Sequence, residues 1–263
     1  ENSCGAILKQ NDERKTYYTY KSGRTLQDLS GIAQQAFEKA KKSLGGQKYG
    51  KSEKLPLIIH PRTASNIFST AFSSLFNGST YVQKANPLIE KLDTRIAPEW
   101  MNLYDNGQDP KSLGTFAIDA EGTQMRKTQI LSDGVFKTYL FDHRYGTASE
   151  VGTTGNAKRT GSFGGTAYEN SPFVGPHKFM IDPGTKNLDE IILEFDRAIY
   201  IEGSPKGLHT SNALTGDFSI ISNNAFLIEN GEIVYPLENI SIAGNFVSAL
   251  ENIVMVGKDV TRT

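Results

Sequence analysis

The sequence predicts an α+β fold: a β-rich C-terminal part with a few packed helices. Three observations carry that prediction. Helix-patterned and strand-patterned segments are grouped along the chain instead of alternating as strand–helix–strand units. Hairpin-type turns, Ser132-Asp133-Gly134 and Asn230-Gly231, stand between strand-like runs. The 263 residues, 38% hydrophobic and 22% charged, suffice for a real core in one large domain or two modest ones.

The elements follow in order. Residues 8–25 are polar and carry Tyr17, Tyr18 and Tyr20, the composition of a strand with one wet face. Thr25 with Asp28 predicts a helix start, and Leu26, Leu29, Ile32, Ala33, Ala36, Phe37 and Ala40 keep the spacing of a buried helical stripe. Gly45-Gly46 ends that helix and residues 47–54 read as a polar linker, which divides the chain into units 1–50 and 51–263. Residues 55–59 resemble a short buried strand. Pro61 fits the first turn of the next helix, where its missing N–H costs nothing. Ile67, Phe68, Ala71, Phe72, Leu75 and Phe76 give that helix its apolar stripe, and Asn77-Gly78 stops it. Residues 115–119 and 128–142 alternate as strands. Residues 146–175 are rich in Gly, Thr, Ser and Asn and read as a surface or active-face loop. Leu188, Ile191, Ile192, Phe195 and Ile199 mark a further helix, and Val247, Leu250, Ile253 and Val254 a last one.

Composition excludes several classes of function. The formal net charge of −1, with Lys and Arg scattered, gives no basic face for nucleic acid. The local cluster Lys39, Lys41, Lys42, Lys48, Lys51 and Lys54 reads as a solvated helix face and its exit loop. Cys4 is the only cysteine, so there is no internal disulfide framework and no Cys-rich zinc module; a reducing, cytoplasmic setting is expected. No apolar run approaches the roughly 20 residues that span a bilayer, and the first residues lack a signal-peptide layout.

Few residues point to chemistry. There is no Gly-x-Ser-x-Gly elbow, and Cys4 has no local partner signature. Residues 152–161 lack the Gly-Lys-Ser/Thr ending of a phosphate loop. Asp119 and Glu121, two apart on a predicted strand, are either paired carboxylates on one face or a strand-end turn. His60 is either a metal ligand or a polar residue at a strand-to-helix corner; His143, His177 and His209 have no His or Glu at helical spacing. The stretch 152–165 and the turn 215–219 both offer backbone groups and a few side chains, as an extended peptide requires. Asn156, Arg159, Thr215 and Asp217 are the candidate peptide-binding residues. The alternative is that both are tight turns needing Gly155 and Gly216 at positive φ.

Several short motifs, taken in order, resemble the C-terminal part of the TldD/PmbA family, the "modulator of DNA gyrase" peptidases. They are His60-Pro61-Arg62-Thr63-Ala64-Ser65, Ile118-Asp119-Ala120-Glu121-Gly122, Thr154-Gly155-Asn156 and Leu214-Thr215-Gly216-Asp217-Phe218-Ser219. Ile228-Glu229-Asn230-Gly231-Glu232, Asn239-Ile240-Ser241-Ile242-Ala243-Gly244-Asn245 and Met255-Val256-Gly257-Lys258-Asp259 complete the set. The resemblance spans residues 54–260 and continues more weakly back through 17–44. The stretches 242–245 and 215–219 look more like the PmbA branch, also called TldE.

The resemblance implies a β-rich C-terminal domain preceded by an α/β domain, of which residues 1–50 would be a remnant. It also implies a TldD–TldE heterodimer that cuts unfolded peptides at a zinc ion in TldD, with the TldE half non-catalytic. The TldD zinc helix carries two His and an intervening Glu. Here His60 keeps the first position, Pro61 stands at the Glu position and Ser65 at the second His. A further Cys ligand, beyond the equivalent of Asp259, has no counterpart before Thr263. The implied chain therefore has no catalytic residue and no metal of its own, His60 being only a weak candidate. Zinc is expected only in a TldD-like partner, and the assembly is a heterodimer with that partner or a homodimer. Two alternatives stand beside this: a metallopeptidase in its own right that uses His60, and a peptide-binding module whose sheet edges pair with substrate backbone.

Overall fold

The computed structural model describes residues 2–113, 115–160 and 167–260. The elements run β1 (Asn2–Gln10), β2 (Glu13–Lys21), α1 (Ile32–Lys42), β3 (Leu57–Ile59), α2 (Pro61–Ile67), α3 (Ser73–Leu75) and α4 (Gly78–Val82). Then follow β4 (Leu103–Asn106), β5 (Lys127–Ser132), β6 (Val135–Phe136), α5 (His143–Ala148), β7 (Ala157–Lys158), β8 (Phe173–Val174) and β9 (Phe179–Ile181). The last are α6 (Leu188–Ile192), β10 (Arg197–Ile201), β11 (Asp217–Ser222), β12 (Ala225–Glu229), β13 (Glu232–Leu237), β14 (Ile240–Asn245) and α7 (Phe246–Glu251). The fold is α+β, with its sheets mostly antiparallel.

β1 and β2 form one long hairpin, in register from Asn2↔Lys21 to Gln10↔Glu13, and α1 lies against it. The helix starts later than the sequence predicts. Asp28 does not cap a turn of helix: its carboxylate accepts the Ser30 N–H at 2.9 Å, and Gly31 at φ 75° then turns the chain into Ile32. Leu26 is consequently fully exposed, and Ile32, Ala36 and Ala40 form the buried stripe.

A four-stranded sheet ordered β13-β12-β10-β3 forms the centre of the main body, with β3 parallel to β10. Its inner strands, β10 and β12, are buried on both faces. Ile58, Ala198, Tyr200, Phe226 and Ile228 pack with Ile192 on one side; Ile199, Ile201, Ala225, Leu227 and Leu237 pack on the other. Such two-sided burial explains why residues 198–201 are apolar without alternation. Ile199, expected in the helix with Leu188, lies in this sheet. α6 is capped by a reciprocal Asn187–Glu190 box, ends at Ile192, and leaves through tight turns to Glu194 and Phe195. The β12–β13 hairpin turns at Asn230 (φ 51°) and Gly231 (φ 75°), two consecutive left-handed residues as a type I′ turn requires.

The second four-stranded sheet, β6-β5-β4-β9, is antiparallel throughout. Its β5–β6 turn uses Asp133 and Gly134, and a Cβ on Gly134 would fall 2.2 Å from the Ala97 carbonyl oxygen. Residues 115–119, expected as a strand, contribute one isolated bridge, Ile118↔Gln124, and the run 137–142 adds no strand after β6. α2 continues through one π-helical segment (Phe68–Phe72) into α3, so the predicted helix is present as three pieces. Asn77 then ends it and begins α4, its side chain accepting the Ser79 N–H at 2.8 Å. Between this helix and the second sheet lies the largest core, with Phe76, Leu88, Met101, Leu103, Ile130, Phe136 and Leu250 wholly or almost wholly buried. α7 closes it through Phe246 and Leu250, and stops before Ile253 and Val254.

Candidate functional site

His60 sits at the turn from β3 into α2. Its backbone N–H donates to the Ile201 carbonyl at 3.0 Å, tying the corner to β10, and its Nδ1 accepts the Arg62 N–H at 3.2 Å as the helix cap. Pro61 follows at the first helical position, where it forfeits no hydrogen bond. Beside this corner Glu202, immediately after β10, is 6% exposed. Its Oε2 accepts from the Tyr17 hydroxyl at 2.9 Å and from Lys39 Nζ at 2.5 Å. The Arg62 guanidinium stacks over the Tyr20 ring, 3.4 Å from its centroid. Burial pushes the His60 imidazole below its ordinary pKa, and the charges of Lys39 and Arg62 act the same way, with Glu202 opposing. Burial, then the Glu202 charge, raises Tyr17 and Tyr200 well above the usual phenol range.

This corner does not fit a zinc ion held by the chain alone. Pro61 offers no donor atom, Ser65 offers only a hydroxyl, and one imidazole nitrogen of His60 is committed to the backbone. The nearby carboxylate, Glu202, is already neutralised by an ammonium group that would repel a cation. Among the described residues, no three His, Cys, Asp or Glu side chains gather as a metal would need.

The other motifs meet in pairs. Asp119 and Thr154-Gly155-Asn156 form one junction. Asp119 is 5% exposed; its Oδ1 accepts the Glu121 and Thr123 N–H groups at 2.9 Å each, and its Oδ2 accepts the Ala157 N–H at 3.0 Å. Asp119 is thus a turn-former facing inward, while Glu121 points the other way and accepts the His143 N–H at 2.8 Å. Asn156, 1% exposed, donates to Asp105 Oδ2 at 2.6 Å and to the Gly175 carbonyl at 3.3 Å, and accepts from Thr154 Oγ1 at 2.7 Å. Both ends of its amide are therefore engaged inside the protein. Arg159 is exposed just past β7, and residues 161–165 of the Gly-rich stretch lie outside the described residues.

Thr215 and Asp217 belong to a second junction. β11 pairs with β14 so that Asp217 faces Asn245, Phe218 faces Gly244 and Ser219 faces Ala243. Asn245 donates to the Thr215 carbonyl at 2.8 Å and to Asp217 Oδ1 at 2.9 Å, while its own Oδ1 caps α7. Thr215 Oγ1 donates to Asp217 Oδ2 at 2.7 Å. These bonds, from Asn245 first and Thr215 second, hold the Asp217 carboxyl below its ordinary pKa. Thr215 and Asp217 remain exposed.

Sequence reasoning missed the Tyr17–Lys39–Glu202 cluster. Its one signal was a carboxylate directly following the apolar run 198–201. It also missed a groove of about 310 Å³ lined by Asn77, Ser79, Glu121, Asp142, Arg144, Tyr145 and residues 171–174.

With that geometry in view, the comparisons with known proteins define the class. A family model described as "PmbA/TldA metallopeptidase C-terminal domain" matches residues 52–263, so the chain belongs to the PmbA/TldD family. It is 28% identical to the metalloprotease PmbA of Escherichia coli O157:H7, over 98% of this chain and 53% of that protein. Its fold is similar to that of TldE from Thermococcus kodakarensis, with a TM-score of 0.81 at 29% identity over 96% of this chain and 56% of that one. A Thermotoga maritima protein, described as a candidate modulator of a DNA gyrase, matches with a TM-score of 0.85 at 27% identity, covering 99% of this chain and 58% of its own. The chain spans about half the length of the curated relatives it matches. No helix among the described residues is long and apolar enough to cross a membrane.

Proposed function

We propose that this chain is part of a PmbA/TldE-like, non-catalytic subunit of a cytoplasmic peptidase that handles unfolded peptides. Zinc and the cutting step belong to a TldD-like partner. The observation that carries the reading is the His60 corner: a helix cap followed by Pro61 and Ser65, with Lys39 holding the one buried carboxylate beside it. A chain that cut peptides itself would need a metal-held water and a free carboxylate to take its proton; here Pro61 and Ser65 stand where further donors would be needed and the Glu202 carboxylate is held by Lys39. The metalloprotease names of relatives and the likeness to TldE support the class.

In this reading the chain supplies walls and positioning. A permanent partner interface would bury on the order of 2,000 Å². The test has two arms: metal analysis after dialysis against a weak chelator, and co-expression with a TldD-like protein followed by light scattering. Expected results are background zinc in the chain alone, unchanged by His60→Ala, and a stable complex that cleaves peptide. Stoichiometric zinc lost on His60→Ala, or a monomer indifferent to any such partner, would overturn it.

A further inference from the structure

The geometry points to the outer edge of β14 as the strand onto which an extended peptide adds, held by its backbone and not by its side chains. This rests on the peptide-handling reading above and gives it a place and a substrate class. The β11–β14 register decides which backbone groups of β14 face outward.

In an antiparallel ladder, alternate facing pairs exchange both of their hydrogen bonds. The pairs between them point N–H and C=O away from each other. Ile221 is of the second kind: its N–H donates to the Lys206 carbonyl and its carbonyl accepts the Lys206 N–H, each at 2.9 Å. Asp217 agrees, its carbonyl accepting the Asn212 N–H at 2.8 Å. Ile221, Ser219 and Asp217 face Ser241, Ala243 and Asn245 across the ladder. The same alternation therefore turns the N–H and C=O of Ser241 and Ala243, and the N–H of Asn245, outward from β14. β14 pairs with β11 alone, and among the described residues no donor or acceptor meets these groups. Ser241, Ala243 and Gly244 are exposed, so this edge is open to solvent.

Such an edge invites a further strand, and proteins ordinarily block it with a charge, a proline or a bulge. The β13 edge is blocked in that way: it carries Glu232 and Pro236, and Gln47 pairs on it at Leu237. β14 has no charged residue and no proline, and its register with β11 runs without a shift. Ile240 and Ile242 hold it against the core. The exposed side chains, those of Ser241 and Ala243, are too small to screen the backbone or to select a sequence. A strand of this length spans about 20 Å. One strand laid along it covers far less than the roughly 1,200–2,000 Å² of a lasting protein–protein interface. The edge therefore suits a short extended peptide better than a second copy of the chain. Such a peptide gains two backbone hydrogen bonds each at Ser241 and Ala243, and one more at the Asn245 N–H.

The test follows amide hydrogen exchange by NMR in the isotope-labelled chain, with a chelator present. The probe is an acetylated, amidated hexapeptide of alternating threonine and alanine. In the free chain the Ser241 and Ala243 N–H groups should exchange fast, and those of Ile242 and Gly244, bonded to β11, slowly. Saturating peptide should slow Ser241 and Ala243 and leave Ile242 and Gly244 as they were. The same peptide N-methylated at every residue should neither bind nor protect, whereas exchanging its threonines for serine should change affinity little. Ala243→Pro removes an outward N–H without breaking a bond to β11, and should weaken binding about tenfold at an unchanged melting temperature. If that variant loses stability, the N-methylated peptide on the parent chain decides. Equal binding of the N-methylated peptide, no binding of the parent peptide, or protection that leaves Ser241 and Ala243 unchanged overturns the proposal. Protection of both residues in the free chain that fades on dilution also overturns it, by giving the edge to a second copy. The assay needs no partner and no cleavage. A complex with a TldD-like protein but no peptide protection at β14 therefore sinks the edge alone, whereas protection without a complex sinks the subunit reading alone.

Discussion

Replacing Asn156 by alanine separates a scaffold role from a peptide-binding role. In the structure Asn156 is a buried link between the Asp105 carboxylate, the Gly175 carbonyl and the Thr154 hydroxyl. The bond to Asp105 is charge-assisted and short, and such bonds contribute about 1.5–3 kcal/mol. Its loss leaves Asp105 Oδ2 facing an apolar gap, although Asp105 Oδ1 still accepts the Lys178 N–H at 2.5 Å. Adding the weaker bonds and the vacated volume, Asn156→Ala should cost about 3–5 kcal/mol, a large share of a typical domain's 5–15 kcal/mol. Urea unfolding followed by fluorescence, with an unchanged slope, reads this directly.

Asn156→Asp supplies a second check with a definite sign. It sets a carboxylate against Asp105, so at neutral pH it should be worse than the alanine variant. Two close carboxylates raise one another's pKa, and as pH falls a shared proton restores a hydrogen bond. The aspartate variant should therefore recover relative to the alanine variant on mild acidification. An Asn156→Ala protein within about 1 kcal/mol of the parent, paired with lost peptide cleavage in a reconstituted complex, would refute the scaffold reasoning.

Three further outcomes follow from the same geometry. Lys39→Met should destabilise the attachment of β1, β2 and α1 by about 2 kcal/mol, the loss for a buried pair reduced because Lys39 is partly exposed. Hydrogen exchange should quicken in β1–β2 while the two main sheets stay protected. His177, whose Nε2 lies 3.0 Å from the Gly155 carbonyl, is held below its ordinary pKa chiefly by burial. Its folded state favours the neutral ring, so its stabilisation is present above about pH 6.5 and is lost as pH falls toward the folded value; His177→Gln should flatten the pH dependence of the unfolding midpoint in that window. Asp217→Asn should shift the midpoint little at pH 7 and remove part of the acid sensitivity below pH 4, since the Asp217 carboxyl is held below its usual range by Asn245 and Thr215.

What the sequence disclosed was local. The hairpins at 132–134 and 230–231, and the strand that runs into Pro61, rest on turn chemistry and a fixed φ that neighbours cannot override. The start of α1 was misplaced because the pattern that caps a helix, Thr25 with Asp28, also makes a short side-chain turn, and only Gly31 decides between them. Ile199 fits a helical stripe and a buried strand equally until the sheet burying both its faces is known. Asn156 looked exposed because loops rich in Gly, Thr and Asn usually are; here the loop closes its polar groups on one another and on Asp105. The Tyr17–Lys39–Glu202 cluster joins residues separated by 163 and 185 positions, a contact no periodicity reports.

The motifs that carry the family resemblance turn out to be each other's contacts. Asp119 is bonded to the Ala157 N–H just past Thr154-Gly155-Asn156, and Asp217 is in register with Asn245. In both cases a carboxylate or amide satisfies the backbone of a turn that a glycine makes possible: Gly155 at φ 75° lies where a Cβ would meet the Gln124 carbonyl oxygen at 2.7 Å, and Gly216 sits at φ 81°. These are requirements of folding, set by hydrogen-bond satisfaction in tight turns, and they are independent of what stands at residues 60–65. A chain can therefore hold this architecture while His60 serves only to cap a helix. The family fold and the family's metal chemistry are separable in physical terms, which is what the proposed non-catalytic subunit requires. If that separation is real, restoring donors alone, as in Pro61→Glu with Ser65→His, should leave the isolated chain without tight zinc binding. Lys39 would still supply the positive charge beside the corner, and measurable zinc affinity should emerge only when Lys39→Met is added. Tight binding by the double variant with Lys39 intact would show that the missing donors alone, and not the ammonium group, keep metal out.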